Sequence, residues 1–221
     1  MTSIEPTDRP LRRDAERNRQ RILAAAGEVF AECGLAASLD AVAERAGVGV
    51  GTVYRRFPDK EALIDALFEA RIDEIVEIAT DCAKNDDPWD ALVCFLDRAI
   101  TLHGGDRALK EIVFSTAHGH ERTASARERI KPLVAELVDR AQAAGALRED
   151  FEITDTPVIQ LMLTAVIEYA GDVSPDLWRR YLAIVLDGMR AGAARAPLAP
   201  EALSDDGLDV VMSRGFGSGK R

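Results

Sequence analysis

The sequence predicts an all-α protein, with an N-terminal three-helix domain of helix-turn-helix type followed by a larger C-terminal helical bundle. Three observations carry this reading. Apolar residues recur at helical spacing along most of the chain, glycines, prolines and capping residues fall where that spacing stops, and no run alternates with the period of a strand. With 221 residues and a 47% hydrophobic content the chain can bury a real core, which excludes a mainly disordered protein.

The elements follow in order. Ile22, Leu23, Ala26, Val29 and Phe30 form one helical stripe, with Gly34 placed as a left-handed stop. Ser38 stands as an N-cap ahead of Leu39-Asp40-Ala41-Val42-Ala43, a short helix ending at Gly47. A turn and another short helix run to Phe57, where Pro58 and Asp59 break the pattern. Leu63, Ile64, Leu67, Phe68, Ile72, Ile75 and Val76 then mark a helix of five turns or more. Past Asn85-Asp86-Asp87-Pro88, the spacing of Trp89, Leu92, Val93, Leu96 and Ile100 predicts a further helix stopped by Gly104-Gly105.

A shorter helical segment is expected around Leu109 to Phe114, and a loop from His118 to Arg122. Ile130, Leu133, Val134, Leu137, Val138 and Ala141 predict the next helix, closed by Gly145. Thr156-Pro157 and Ser174-Pro175 each set a capping residue before a proline suited to a first turn, opening helices over about 157–170 and 175–191. After Gly192 the periodicity fades. The domains expected are a flexible basic arm over 1–14, the helix-turn-helix over 15–60, a helical bundle over 61–192 and a mobile tail over 193–221.

Charge is unevenly divided. The formal net charge is −10, which by itself opposes binding to DNA. Yet residues 9–21 carry six arginines against Asp14 and Glu16, and residues 45–60 carry Arg45, Arg55, Arg56 and Lys60 against Asp59. Positive charge is thus gathered in two short windows near the amino end, and the remainder of the chain is acidic. No stretch approaches the ~18 uncharged apolar residues of a spanning helix, and the amino end lacks a basic-then-apolar export signal, so a cytoplasmic protein with no membrane partner is expected. Cys33, Cys82 and Cys94 lack any metal-ligand spacing and are expected as reduced, mostly buried thiols.

Val42, Ala43, Val48, Val53 and Phe57 are placed to close a small helix-turn-helix core. The string Ala46-Gly47-Val48-Gly49-Val50-Gly51-Thr52-Val53-Tyr54-Arg55-Arg56-Phe57-Pro58-Asp59-Lys60-Glu61-Ala62-Leu63 resembles the signature of the TetR family of bacterial transcriptional regulators. The resemblance covers about residues 15–68, reaching back through Asn18 to Phe30, Gly34 and Leu39 to Ala43. It departs in one place, where Gly49 stands for the usual serine cap of the recognition helix.

The resemblance implies a recognition helix over 49–56, with Val50, Thr52 and Arg55 facing base edges and Ser38, Tyr54 and Lys60 gripping phosphates. Arginine can take guanine O6 and N7 together, and a valine or threonine methyl suits the thymine methyl. Other readings stand beside these: Tyr54 as a core aromatic, Arg55 as a solvated surface residue, and Arg56 as either a phosphate contact or a cover for the helix surface. The N-terminal arginines read either as a minor-groove arm or as a source of non-specific attraction, with Arg17 or Arg21 the candidates for phosphate contact.

The resemblance further implies that about 70–192 is a regulatory and dimerisation domain. Leu161, Ala165, Tyr169, Trp178, Leu182, Val185 and Met189 belong to two apolar stripes too wide for one neighbour, which a two-fold partner would cover; the alternative is that both stripes are internal core. Trp89, Phe95, His103, Phe114, His118 and Met162 are the candidate lining of an effector cavity, with core packing as the alternative. His118 and His120 lie near Glu121, but nothing in their spacing supplies the three or four convergent ligands of a metal site, and Gly217-Ser218-Gly219-Lys220 lacks the spacing of a phosphate loop. Neither metal nor cofactor is expected. The expected function is a homodimeric regulator, a repressor of a short palindromic operator on duplex DNA, relieved by a small, largely apolar effector. An architectural or constitutive DNA-binding protein and a helical-bundle enzyme are the competing classes.

Overall fold

The computed structural model describes residues 8–104, 106, 108, 109, 112, 119–192 and 196–214. The described chain is helical with no strand, its one β contact being an isolated antiparallel bridge between Leu147 and Arg190. By contact the protein divides into two compact units, one of residues 1–70 with 107–112 and the other of 71–106 with 113–221.

The first unit holds α1 (Asp8–Cys33), α2 (Leu39–Ala46), α3 (Val50–Arg56) and the start of α4 (Lys60–Cys82). Ile22, Ala26, Val29 and Phe30 of α1 are buried, as the stripe predicts, together with Val42 and Ala43 of α2, Val53 of α3, Phe57, and Leu63, Ile64, Leu67 and Phe68 of α4. Burying one such Phe or Leu stabilises by roughly 1.5–3 kcal/mol, so this small core rests on about a dozen side chains placed at helical spacing. Val48 is half-buried at its edge. Helix α1 starts at Asp8, so the stretch expected as a flexible arm up to residue 14 already contains the first turns of a helix.

The second unit contains the rest of α4, then α5 (Pro88–His103), α6 (Gly119–Ala143), α7 (Asp155–Ala170), α8 (Leu177–Met189) and α9 (Asp205–Arg214). Helix α5 is the centre, packing against α6, α7 and α8, and it buries Leu92, Phe95, Leu96 and Ile100. Asp87 caps it, its carboxylate accepting from Trp89 N and Asp90 N at 2.8 and 3.0 Å, with Pro88 in the first turn. Gly104 ends α5 where a Cβ would stand 2.9 Å from the Ile100 carbonyl oxygen and closer still to the tip of Ile167 on α7, so a side chain there would force a shift.

Four expectations are corrected. Gly119 to Arg122, expected as loop, forms the opening of α6, which starts well before the stripe from Ile130. The region 193–221 contains α9, which packs on α6. It is held by tertiary contacts: Arg127 reaches the Asp205 carbonyl at 3.0 Å and Asp209 at 2.5 Å, Lys131 reaches Asp205 at 2.6 Å, and Leu208 is buried. Cys82 and Cys94 are joined in a disulfide, and Cys33 is exposed, so the expectation of reduced, mostly buried thiols fails on both counts. Finally, Thr156 and Ser174 do not cap their helices. Helix α7 starts at Asp155, whose carboxylate accepts from Glu152 N at 2.9 Å, and Asp176 precedes α8 without a side-chain cap. The helical segment expected at Leu109 to Phe114 is helical at 108, 109 and 112 and otherwise lies outside the described residues.

Candidate nucleic-acid interface

Helix α2 is fixed at both ends by backbone and side chain together. At its start Ser38 is extended (φ −85°, ψ 158°) and its Oγ accepts from Ala41 N at 3.2 Å, the N-cap the sequence predicts. At its end Gly47 is left-handed (φ 62°, ψ 39°), its N–H returning to the Ala43 and Glu44 carbonyls. A side chain at Gly47 would meet a conformation costing ~1–2 kcal/mol and would stand 3.3 Å from the Arg21 guanidinium.

Two cations bracket this helix. Arg21, on α1, donates to the Ala46 carbonyl at 2.7 Å and the Gly47 carbonyl at 3.4 Å. Lys60, the first residue of α4, donates from Nζ to the Leu35 and Ala37 carbonyls at 2.7 and 3.0 Å, just before Ser38. Asp59 supports that position by accepting from Ala62 N at 2.8 Å and so capping α4. The flanking helices therefore pin the turns on either side of α2. Sequence reasoning assigned Arg21 and Lys60 to phosphates and missed this bracing, because the carbonyls involved lie 23 to 26 residues away in the chain.

Gly49 precedes α3 in extended conformation (φ −64°, ψ 139°) with no side-chain cap bond, as expected from the missing serine hydroxyl. Thr52 N closes the first turn on the Gly49 carbonyl at 2.7 Å. Val53 and Phe57 point into the core, which leaves Val50, Gly51, Tyr54, Arg55 and Arg56 exposed and Thr52 half-buried. Tyr54 is 47% exposed, so it is not the core aromatic of the alternative reading. Among the described residues the Arg55 guanidinium has neither an ion pair nor a hydrogen bond. Arg56 lies 3.9 Å from Glu16.

The other basic side chains are mostly engaged within the protein. Arg45 is held by Glu28 at 3.0 Å and Glu32 at 2.7 Å, and its hydrogen bond keeps the Glu32 carboxyl below the usual carboxylate range. Arg17 pairs with Asp14, and Arg19 lies 3.9 Å from Glu16. The side chains of Arg9, Arg12 and Arg13 lie outside the described residues. Among the described basic side chains of this unit, Arg55 on the exposed side of α3 is the one with no ion pair or hydrogen bond.

The candidate effector residues are dispersed or undescribed. Trp89 is buried, with the Arg190 guanidinium 4.0 Å from its ring centroid, and Phe95 is buried in the α5 core. Met162 is 49% exposed, which corrects its placement as cavity lining: position 162 falls on the outer side of α7 while Ile159 and Leu163 turn inward. Phe114 and His118, with the side chains of His103 and His120, lie outside the described residues.

The candidate dimer residues divide. Trp178, Leu182 and Met189 are buried within the unit, Leu182 to 4%, so these three belong to the protomer's core. The correction is one of helical phase: the stripe on α8 is wide, and its inner half packs on α5 and α7. Tyr169 is 88% exposed, with Leu161, Ala165 and Val185 half-buried. Tyr181, a member of the expected stripe, is 44% exposed, and Ile184 at 59% and Val173 add apolar surface outside that stripe.

Comparison with known proteins agrees with this geometry. Residues 22–67 match the model of bacterial regulatory proteins of the tetR family, and residues 87–191 match that of the SbtR-like transcriptional regulator C-terminal domain. The HTH-type transcriptional regulator UidR of Escherichia coli (strain K12) is 29% identical over 204 residues, spanning 90% of this chain and 93% of UidR. Among solved structures, the TetR transcription regulatory protein from Mycobacterium vanbaalenii is 32% identical, with a TM-score of 0.63, covering 82% of this chain and all (100%) of that one. The TetR regulator SCO0520 from Streptomyces coelicolor is 31% identical at a TM-score of 0.62, covering 79% and 99%. The chain belongs to the TetR family of bacterial transcriptional regulators, and it is a DNA-binding transcription regulator of helix-turn-helix type. Among the described residues no helix is long and apolar enough to cross a membrane.

Proposed function

We propose that the protein is a homodimeric repressor that reads a short palindromic operator with α3 and releases it when a small, largely apolar effector binds the C-terminal unit. The observation that carries the operator reading is the exposed side of α3, where, among the described residues, Arg55 is unengaged beside Val50 and Thr52 while Arg21, Arg45 and Lys60 are taken up within the protein. In this reading Val50, Thr52 and Arg55 meet base edges. Tyr54, Ser38 and Arg56 meet phosphates, helped by the positive N-terminal end of α2, and the one N–H of Lys60 not given to a carbonyl serves the same backbone.

Dimerisation is supported by the exposed apolar residues of the last bundle helices, Met162 and Tyr169 on α7 and Tyr181 and Ile184 on α8. A two-fold partner covering them would make a four-helix interface and repeat α3 at one turn of duplex, ~34 Å. Effector control is supported by ligand-responsive repression being typical of the family. The test is affinity for a selected operator against scrambled duplex at one salt concentration. A preference on the order of 10³-fold or more supports a specific regulator, whereas equal affinity leaves an architectural DNA-binding protein.

A further inference from the structure

The bonded cysteines of the second unit lie outside the helices proposed to read DNA. Cys82 is the last residue of α4 and is buried, while Cys94 lies in the second turn of α5 and is half-buried. Their Cα atoms are 5.7 Å apart across the turn of 83–87. One turn beyond Cys94, the Arg98 guanidinium comes within 3.8 Å of the Cys82 sulfur. The neighbouring carboxylate, Asp81, lies 3.7 Å from Arg98 and is itself held by Lys84 at 2.8 Å. Arg98 is thus a cation set directly against this sulfur, a setting that favours a thiolate. A DNA-binding regulator works beside the chromosome, where thiols are kept reduced and a protein disulfide is usually transient.

We propose that Cys82 and Cys94 are a thiol–disulfide exchange site, taking small thiols and dithiols as co-substrates, whose redox state alters operator affinity. The proposal rests on the DNA-binding reading. A thiolate attacks Cys94 Sγ, the more accessible sulfur, forming a mixed disulfide and releasing Cys82 as a thiolate beside Arg98. A second thiolate, the other sulfur of a dithiol, attacks the attacker's own sulfur in that mixed disulfide, so the reagent leaves as its disulfide and Cys94 as a thiol after taking up a proton. Two electrons pass from the reagent to the protein, and a small disulfide reverses every step. Opening removes a covalent tie between α5 and the last turn of α4, which is one continuous helix back to Lys60. Lys60 braces the loop before Ser38, so the end that is released belongs to the same helix that positions α2.

The test equilibrates the full chain in defined ratios of reduced and oxidised dithiothreitol, counts the bridge by alkylation and mass spectrometry, and measures affinity for the selected operator in each state at fixed salt. The expected result is reversible opening, with operator affinity differing at least about fivefold between states. That difference should vanish in the Cys82→Ser/Cys94→Ser double variant and persist in Cys33→Ser. Arg98→Gln should slow opening severalfold near neutral pH, with Arg98→Lys close to the parent. A pair that never bridges, or a bridge that dithiothreitol cannot open, overturns the exchange site, and equal affinity in the two states overturns its regulatory role. Loss of specific binding in both states instead strikes the DNA-binding reading, while the count of bridges still decides the exchange chemistry.

Discussion

Arg55 sits on the exposed side of α3, where no described residue bonds or pairs with it, and its value to the protein depends on what approaches from outside. Arg55→Ala should cost ~1–3 kcal/mol on the preferred duplex and relax preference at one position per half-site. Equal losses on preferred and scrambled duplex would reassign it to phosphate contact. Lys60 differs in kind, because two of its donors are already committed to the Leu35 and Ala37 carbonyls. Lys60→Ala leaves both carbonyls without their charged donor, and should lower the stability of the DNA-free protein by about 1–2 kcal/mol. Thermal unfolding without DNA reads this directly, and an unchanged melting temperature contradicts the brace. The string from Ala46 to Leu63 made the helix-turn-helix legible in the sequence; the side chains that hold α2 in place were not legible, since Arg21 and Lys60 find their carbonyls only through the packing of α1, α2 and α4.

At the scale of elements, several helix stops were legible because they have a local cause. Gly34, Gly47 and Gly145 are left-handed. Helix α9 was not legible, since its ten residues are held by Arg127 and Lys131 of α6, which lie 74 to 82 residues away in the chain. The Cys82–Cys94 bond was hidden for a similar reason: a spacing of 12 becomes a contact only after α4 and α5 are placed. Width of the apolar stripe on α8 was visible, but its phase was not. That phase separates two substitutions. Ile184→Glu should give folded monomers in sedimentation, with helical content kept and operator binding lost, whereas Leu182→Glu should unfold the unit by burying an unpaired charge. An intact dimer from Ile184→Glu contradicts the proposed interface.

The attachment of α9 has its own pH dependence. Lys131 holds the Asp205 carboxyl below its usual range. A lowered folded pKa contributes stability above the unfolded value of ~3.9 and loses it as pH falls through the folded one. Amide exchange corrected for intrinsic rates should therefore show α9 losing protection below about pH 4 ahead of α6. Identical loss in both helices would mean that the ion pairs contribute nothing to docking.

For the whole molecule, the C-terminal unit is far larger than dimerisation alone requires, and the effector reading turns on coupling between two ligands. A compound that raises the melting temperature and acts as effector must weaken operator binding by the same factor by which operator weakens its own binding; ~100-fold corresponds to about 2.7 kcal/mol. Stabilising compounds that leave operator affinity untouched would leave a constitutive regulator.

Selecting bound duplexes from a random pool and sequencing them shows whether a two-fold dimer reads bases with α3. The expected outcome is an enriched inverted repeat with half-site centres one helical turn, about 10 base pairs, apart, and loss of preference at one symmetric pair of positions when the selection is repeated with Arg55→Ala. A pool that stays random, or a single unrepeated motif unaffected by Arg55→Ala, would contradict it.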